Sequence, residues 1–237
     1  MESAGYATLS RQSGLMSELR VVANNIANAA TTGYRQQGLV FSEFVVDLPR
    51  QSSLSMARAQ VRDTAFMQGV LSQTGGQFDF AIEGDGFFMV ETPSGNRLTR
   101  AGSFSPDAAG DLVTAQGHRV LDAGGAPLFV PPDARSFDVG ADGTISADGR
   151  LLGQLGVYSP ADPGTLIREG GVLFRAEGEV EPAIEARVLQ GFLEGSNVNA
   201  IEQMARLVEV QRAYELGQSF LDAEDKRIRE AVKALMR

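Results

Sequence analysis

The sequence predicts an α+β protein in which long N- and C-terminal helices form a coiled-coil-like assembly domain that encloses an all-β domain. Three patterns carry that prediction. The C-terminal stretch repeats apolar residues every seven positions, the N-terminal stretch carries a shorter seam, and the middle alternates short apolar runs with Gly- and Asp-rich turns. The expected boundaries are residues 1–34 with 197–237 for the helical part, 35–75 for a linker, and 76–196 for the β-rich part with its return segment.

From the N-terminus, Leu9, Met16, Leu19, Ala23 and Ile26 fall on three- and four-residue steps, with polar Gln12 in the one gap. A helix is expected there, ending in ANNIANAATTGYR, where Thr31, Thr32 and Gly33 are turn formers. Asn24, Asn25 and Asn28 crowd its last turns although asparagine is a mediocre helix former. Two readings stand: their amides satisfy the helix's own terminal carbonyls, or they hydrogen-bond to neighbouring helices in an assembly. After Gln36 periodicity fades. Phe41, Phe44, Val45 and Val46 form a local apolar patch, Pro49 breaks it, and the stretch reads as a linker that depends on contacts for its order.

From Gly75 the texture is β. Gly84-Asp85-Gly86 between two apolar runs predicts a hairpin, and turn signals recur at Pro93 to Asn96, Asp107 to Gly110, Gly124-Gly125, Asp142-Gly143 and Asp148-Gly149. Short strands are expected between them, including Leu128 to Val130 and a long one over Leu151 to Tyr158. Such spacing indicates a sandwich or irregular barrel.

The C-terminal helix is expected to start at Asn199, an N-cap with Glu202 three residues on. Leu207, Tyr214, Leu221, Ile228 and Leu235 recur every seven residues, with Val210, Gly217 and Ala231 between them. A helix from there to Arg237 would be about 58 Å long, too long for a domain this small to cover. The two terminal helices are expected to pair antiparallel, and the seams to face other subunits, so that Leu207→Asp or Leu221→Asp spares the β domain and abolishes assembly.

Composition excludes several functions. With 21 basic and 30 acidic residues the net charge is −9, and no basic stripe offers a nucleic-acid surface. The absence of cysteine removes disulfides, thiolate nucleophiles and thiol metal sites. No run suits membrane insertion, and the opening residues lack a cleavable signal pattern, so any export is expected to use another route. No catalytic, cofactor or metal site is expected. His118 is the sole histidine and lacks a nearby cysteine or acidic cluster, Glu83 and Asp85 read as turn residues rather than paired catalytic carboxylates, and the two Asp-Gly turns lack a full set of calcium ligands.

Three blocks, ANNIANAATTGYR, FDFAIEGDGFFMVETPSGNRLTRAGSFSPDAAGDLVTAQGHRVLD and LEGSNVNAIEQMARLVEVQRAYE, resemble in order the signature blocks of the bacterial flagellar rod and hook family. The opening SAGYATLSRQSGLM and the ending LDAEDKRIREAVKALMR are most similar to its proximal-rod member, less so to its distal-rod member. The resemblance implies a subunit of the axial drive shaft that transmits torque from motor to hook. It also implies an inner tube of terminal helices, a β outer layer, a place in the periplasmic part of the basal body, and unprocessed export through the flagellar type III apparatus. The implied partners are copies of itself and other axial proteins. The competing reading is a coiled-coil-tailed scaffold or adhesin that forms a closed oligomer; seams at both termini weigh against it.

Overall fold

The structure, a computed structural model, describes the backbone of residues 2–46 and 54–236, with side chains described for 8–40, 64–234 and 236. The chain divides into two compact units, one of residues 1–27, 36–65 and 198–237, the other of residues 28–35 and 66–197.

The first unit holds two helices, α1 (Glu2–Ala27) and α2 (Ala200–Leu235). Asn199 caps α2 as its sequence predicts, its side chain accepting from the Ile201 and Glu202 backbone N–H groups at 3.1 and 3.4 Å. The helices run antiparallel: Asn25 near the end of α1 meets Gln203 near the start of α2, and Gln12 reaches the Tyr214 carbonyl. The stretch expected to be a linker contains a two-stranded antiparallel sheet, Gln37–Val46 with Leu54–Thr64, whose register shifts between Val40 and Phe41. Phe41, Phe44, Val45 and Val46 lie in its first strand with side chains outside the described set, and Pro49 lies outside the described residues altogether. The period-2 signal is weak there because polar and small residues interrupt both strands.

The second unit is a β body. A nine-stranded sheet runs through Leu166–Gly170, Leu173–Ala176, Gly95–Thr99, Phe87–Thr92, Arg119–Val120, Leu112–Thr114 and Phe104–Pro106, with Val157–Pro160 and Val180–Pro182 joined at its side. Phe137–Val139, Thr144–Ala147 and Arg150–Gln154 form a three-stranded meander, and two short pairs join Phe80–Glu83 to Arg187–Gln190 and Leu71–Gln73 to Phe192–Glu194. One core packs Phe80, Phe88, Phe104 and Phe137 with Leu112, Val120, Ile145 and Leu155; a second packs Phe87, Phe174, Leu98 and Leu166.

Several turns fall where the sequence places them. Gly95 closes the Phe87–Thr92 and Gly95–Thr99 hairpin, and Asp148-Gly149, both at positive φ, closes the one between Thr144–Ala147 and Arg150–Gln154. Three expectations differ from the structure. Gly84-Asp85-Gly86 is not a hairpin turn, since the strands on either side pair elsewhere; the chain there wraps Arg100, whose Nη1 donates to the Gly84 and Gly86 carbonyls at 2.9 and 2.6 Å. Leu128 to Val130 forms no strand and is held by ladder-like bonds to Leu112 and Gly110. The Leu151 to Tyr158 run is broken where Leu155 turns its N–H to Gly143 and Gly156 approaches Asp122.

Candidate assembly interface

Helix α2 has two distinct apolar surfaces. On the side facing α1, Gln203, Leu207, Val210, Tyr214, Gly217, Leu221 and Glu224 follow alternating steps of four and three residues, and all are buried or half-buried. Val210 is 2% exposed at the centre of this row. Gly217 lets the helices come close, because a Cβ there would sit 2.4 Å from Gln12 Nε2, which donates instead to the Tyr214 carbonyl at 2.9 Å. Gln12 is itself buried. At the rim, Arg206 meets Glu18 at 2.6 Å.

The seam expected to face other subunits is therefore, from Leu207 to Leu221, turned toward the chain's own first helix. The physical reason is register. With Asn25 opposite Gln203 and Gln12 opposite Tyr214, a 26-residue helix runs out near Asp225 of a 36-residue one. Ile228 continues the row past that point and is half exposed; the Leu235 side chain lies outside the described ones. Among the described side chains of α1 the buried positions are Gln12, Gly14, Val21, Val22 and Asn25, while Leu9 and Met16 of the expected seam are exposed and Leu19 and Ile26 are half-buried. Apolar periodicity alone misplaced this face because two amides and a glycine form much of it.

The asparagines divide between the two readings. Asn25, 1% exposed, donates to the Gln37 carbonyl and to Gln203 Oε1 and accepts from the Gln37 N–H, so it fixes the register of a neighbouring helix, but of its own chain. Asn28 accepts from the Thr31 hydroxyl and backbone N–H and closes the local turn. Asn24 is exposed.

What remains outward on α2 is a second set: Ile201, Met204 and Val208 near its start, Leu216 and Phe220 at mid-length, and Ile228, Val232 and Met236 toward its end. With Leu9 and Met16 these leave more exposed large apolar side chains on one helix pair than a monomer needs. A cleft of about 390 Å³ opens among them, lined by Thr8, Arg11, Gln12, Leu15, Ala213, Leu216, Gly217 and Phe220.

The β body contains a site that the sequence did not disclose. The Glu194 carboxylate, 1% exposed, accepts from Arg35 Nη2 at 3.0 Å, Arg100 Nε at 2.6 Å and the Gly69 N–H at 2.9 Å. Gly33 donates its N–H to the Glu194 carbonyl and lies so close to Arg100 and Ala101 that a Cβ would come within 2.3 Å of the Ala101 nitrogen. Burial outweighs the neighbouring carboxylate and lowers the pKa of Arg35 to about 10. Arg168 stacks between the Tyr34 and Phe174 rings, its guanidinium 4.7 and 4.6 Å from their centroids, and donates to the Arg35 carbonyl. Arg35, Arg100 and Glu194 each adjoin or lie in one of the three blocks that carry the family resemblance. A buried charge within or beside each block was the available signal.

No group of acidic and histidine side chains able to hold a metal occurs among the described residues, and no helix among them is long and apolar enough to cross a membrane. His118 sits in a turn, its N–H donating to Thr114 Oγ1. Glu83 ends a strand and stands opposite Arg187 in its register.

A helical pair with surplus apolar faces, joined to a β body, has the make-up of an assembly module. The chain belongs to the flagellar basal-body rod family. Residues 6–35 match the family model described as flagella basal body rod protein, residues 81–147 the flagellar hook protein FlgE/F/G D1 domain, and residues 189–234 the C-terminal model of the flagellar basal body rod FlgEFG proteins. Among its relatives are the flagellar basal-body rod proteins FlgF of Mesorhizobium japonicum and Caulobacter vibrioides, each 38% identical over 99% of this chain and 98% of theirs. The FlgG protein of Bacillus subtilis is 29% identical over 96% of this chain and 97% of its own.

Proposed function

We propose that this protein is a structural, non-enzymatic subunit of the flagellar basal-body rod, in the FlgF position, and that its helical unit polymerises with copies of itself and with other axial proteins to form part of the drive shaft. The observation that carries the reading is the near-full-length similarity to the FlgF proteins of Mesorhizobium japonicum and Caulobacter vibrioides, at 38% identity, against 29% for the FlgG protein of Bacillus subtilis. The helical pair gives it a physical basis: the inner row holds the subunit's own hairpin together, which leaves the outward set of Leu9, Met16, Met204, Val208, Leu216, Phe220, Ile228 and Val232 for neighbours. The sequence-derived seam residues Leu19, Ile26, Leu207, Val210, Tyr214 and Leu221 then act indirectly, by shaping the hairpin that docks. Residence in the periplasmic part of the rod and passage through the type III export apparatus belong to the same reading.

The test is complementation of a strain lacking this chain. Leu216→Asp with Phe220→Asp should leave the subunit folded by circular dichroism and exported, yet absent from purified basal bodies, with swimming lost. Normal swimming by that strain would refute the outward-face assignment. Wild-type subunit missing from basal bodies would refute the rod reading itself.

A further inference from the structure

The sequence contains neither cysteine nor tryptophan, which leaves methionine as its readily oxidised side chain. Met89 is buried in the β body at 8% exposure, whereas Met67, Met204 and Met236 are 78%, 52% and 82% exposed. Their surroundings differ. Met67 belongs to the β body, and Met236 follows the last residue of α2. Met204 lies within the first turns of α2, where Ile201, Met204, Ala205 and Val208 share one helix face and are all exposed. The other face of the same turns is engaged inside the subunit: Gln203 is buried and accepts from Asn25, and Leu207 is half-buried. An oxygen added to the Met204 sulfur would therefore alter the outward apolar patch and spare the bonds that hold the helix pair.

We propose that Met204 is a modification site for hydroperoxide-class oxidants, and that its sulfoxide keeps the unassembled subunit out of the rod. This rests on the rod-subunit reading. The thioether sulfur attacks one oxygen of hydrogen peroxide, so that an S–O bond forms as the O–O bond breaks. Sulfur gives up two electrons, the proton of the transferred oxygen passes to the leaving one, and water departs. A flexible apolar side chain becomes a polar, chiral one. On the free subunit water satisfies the new oxygen. Buried against an apolar neighbour, the same oxygen has no donor and weakens docking about tenfold or more. Oxidation thus acts on assembly and not on folding. A dithiol-dependent reductase reverses it, the oxygen leaving as water while the dithiol closes to a disulfide.

The chemistry is tested on purified full-length subunit treated with hydrogen peroxide, where peptide mass spectrometry should show sulfoxide at Met204 forming at least about tenfold faster than at buried Met89. The consequence is tested in a strain lacking this chain, complemented with wild type, Met204→Leu, Met204→Gln or Met67→Leu and induced with or without peroxide. Recovery of wild type in basal bodies should fall in proportion to the Met204 sulfoxide formed. Met67→Leu should fall in the same way. Met204→Leu, whatever its recovery without peroxide, should lose less than about twofold further. Met204→Gln, which carries a permanent polar group, should be depleted about tenfold without peroxide. If that variant misfolds by circular dichroism, the Met204→Leu comparison decides. Met204 reacting as slowly as Met89, equal peroxide losses for wild type and Met204→Leu, or folded Met204→Gln recovered like wild type would each overturn the site and leave the rod reading standing. Wild type missing from basal bodies without peroxide refutes the rod reading and carries this proposal with it.

Discussion

Glu194 holds two arginines on one carboxylate with almost no water around any of them, so the cluster is sensitive to the loss of its single negative charge. Glu194→Gln keeps the shape and removes the carboxylate that pairs both buried guanidinium groups, leaving only the weaker influence of Asp85 on Arg35. It should destabilise the β body by about 3–5 kcal/mol, seen as a lower urea midpoint of the β-sheet signal. A change below about 0.5 kcal/mol, the usual range for a surface substitution, would show that the charges are not paired as described. Gly217 presents the opposite balance. In Gly217→Ala the new methyl displaces Gln12 Nε2 and loses a hydrogen bond worth about 1 kcal/mol, while the helix gains about 1 kcal/mol of propensity, so stability should hardly move. Gly217→Leu should cost about 1–3 kcal/mol by wedging the helices apart; a neutral Leu variant would mean that the helices do not approach there. Glu169 gives the acid-side signal. Its carboxylate, bonded first by Arg97 and then by Arg175, has its pKa lowered against a smaller opposing effect of burial. A lowered folded-state value means stabilisation present above the ordinary carboxylate range and lost as pH falls through the folded value. Glu169→Gln should flatten the acid limb of the pH–stability curve and leave its alkaline side unchanged.

At the scale of elements, the helical hairpin separates folding from docking. Val210→Asp places a charge at a position 2% exposed between α1 and α2, and should release both helices to protease while the β-sheet signal persists. Leu216→Asp, at a position 71% exposed, should leave the hairpin as protected as wild type. Equal protease sensitivity of the two variants would contradict the division into inner and outer faces. The same division explains what could be read in advance. Both helices, the Asn199 cap and most turns were legible because their causes are local: three- and four-residue steps, a side-chain cap, Asp-Gly dipeptides that accept positive φ. The face that α1 buries was not, because Gln12 and Asn25 carry no apolar signal and become core residues only through partners 202 and 178 residues away. The Glu194 cluster was hidden for the same reason, Arg100 lying 94 residues before it. Gly84-Asp85-Gly86 had the local chemistry of a hairpin and was overruled by the distant demand to enclose a guanidinium.

Across the whole molecule the charge is segregated between the two units. Residues 1–27, 36–65 and 198–237 carry twelve basic and twelve acidic side chains, whereas residues 28–35 and 66–197 carry nine and eighteen, so the entire −9 resides on the β body. Three of those nine cations, Arg35, Arg97 and Arg100, are buried, so the β surface is more acidic than its sum suggests. Bringing copies together through neutral, apolar helix faces therefore draws like-charged β bodies into proximity. Hydrophobic contact gains from salt or is indifferent to it, and repulsion between exposed charges is screened within about 10 Å at 0.1 M ionic strength. Raising salt from about 0.02 to 0.3 M shortens that screening distance and should strengthen self-association, measured as a rise in weight-average mass by sedimentation equilibrium. Association that weakened steadily over the same range would mean that ion pairs join the subunits, which neither the neutral helical unit nor its apolar outer face can account for.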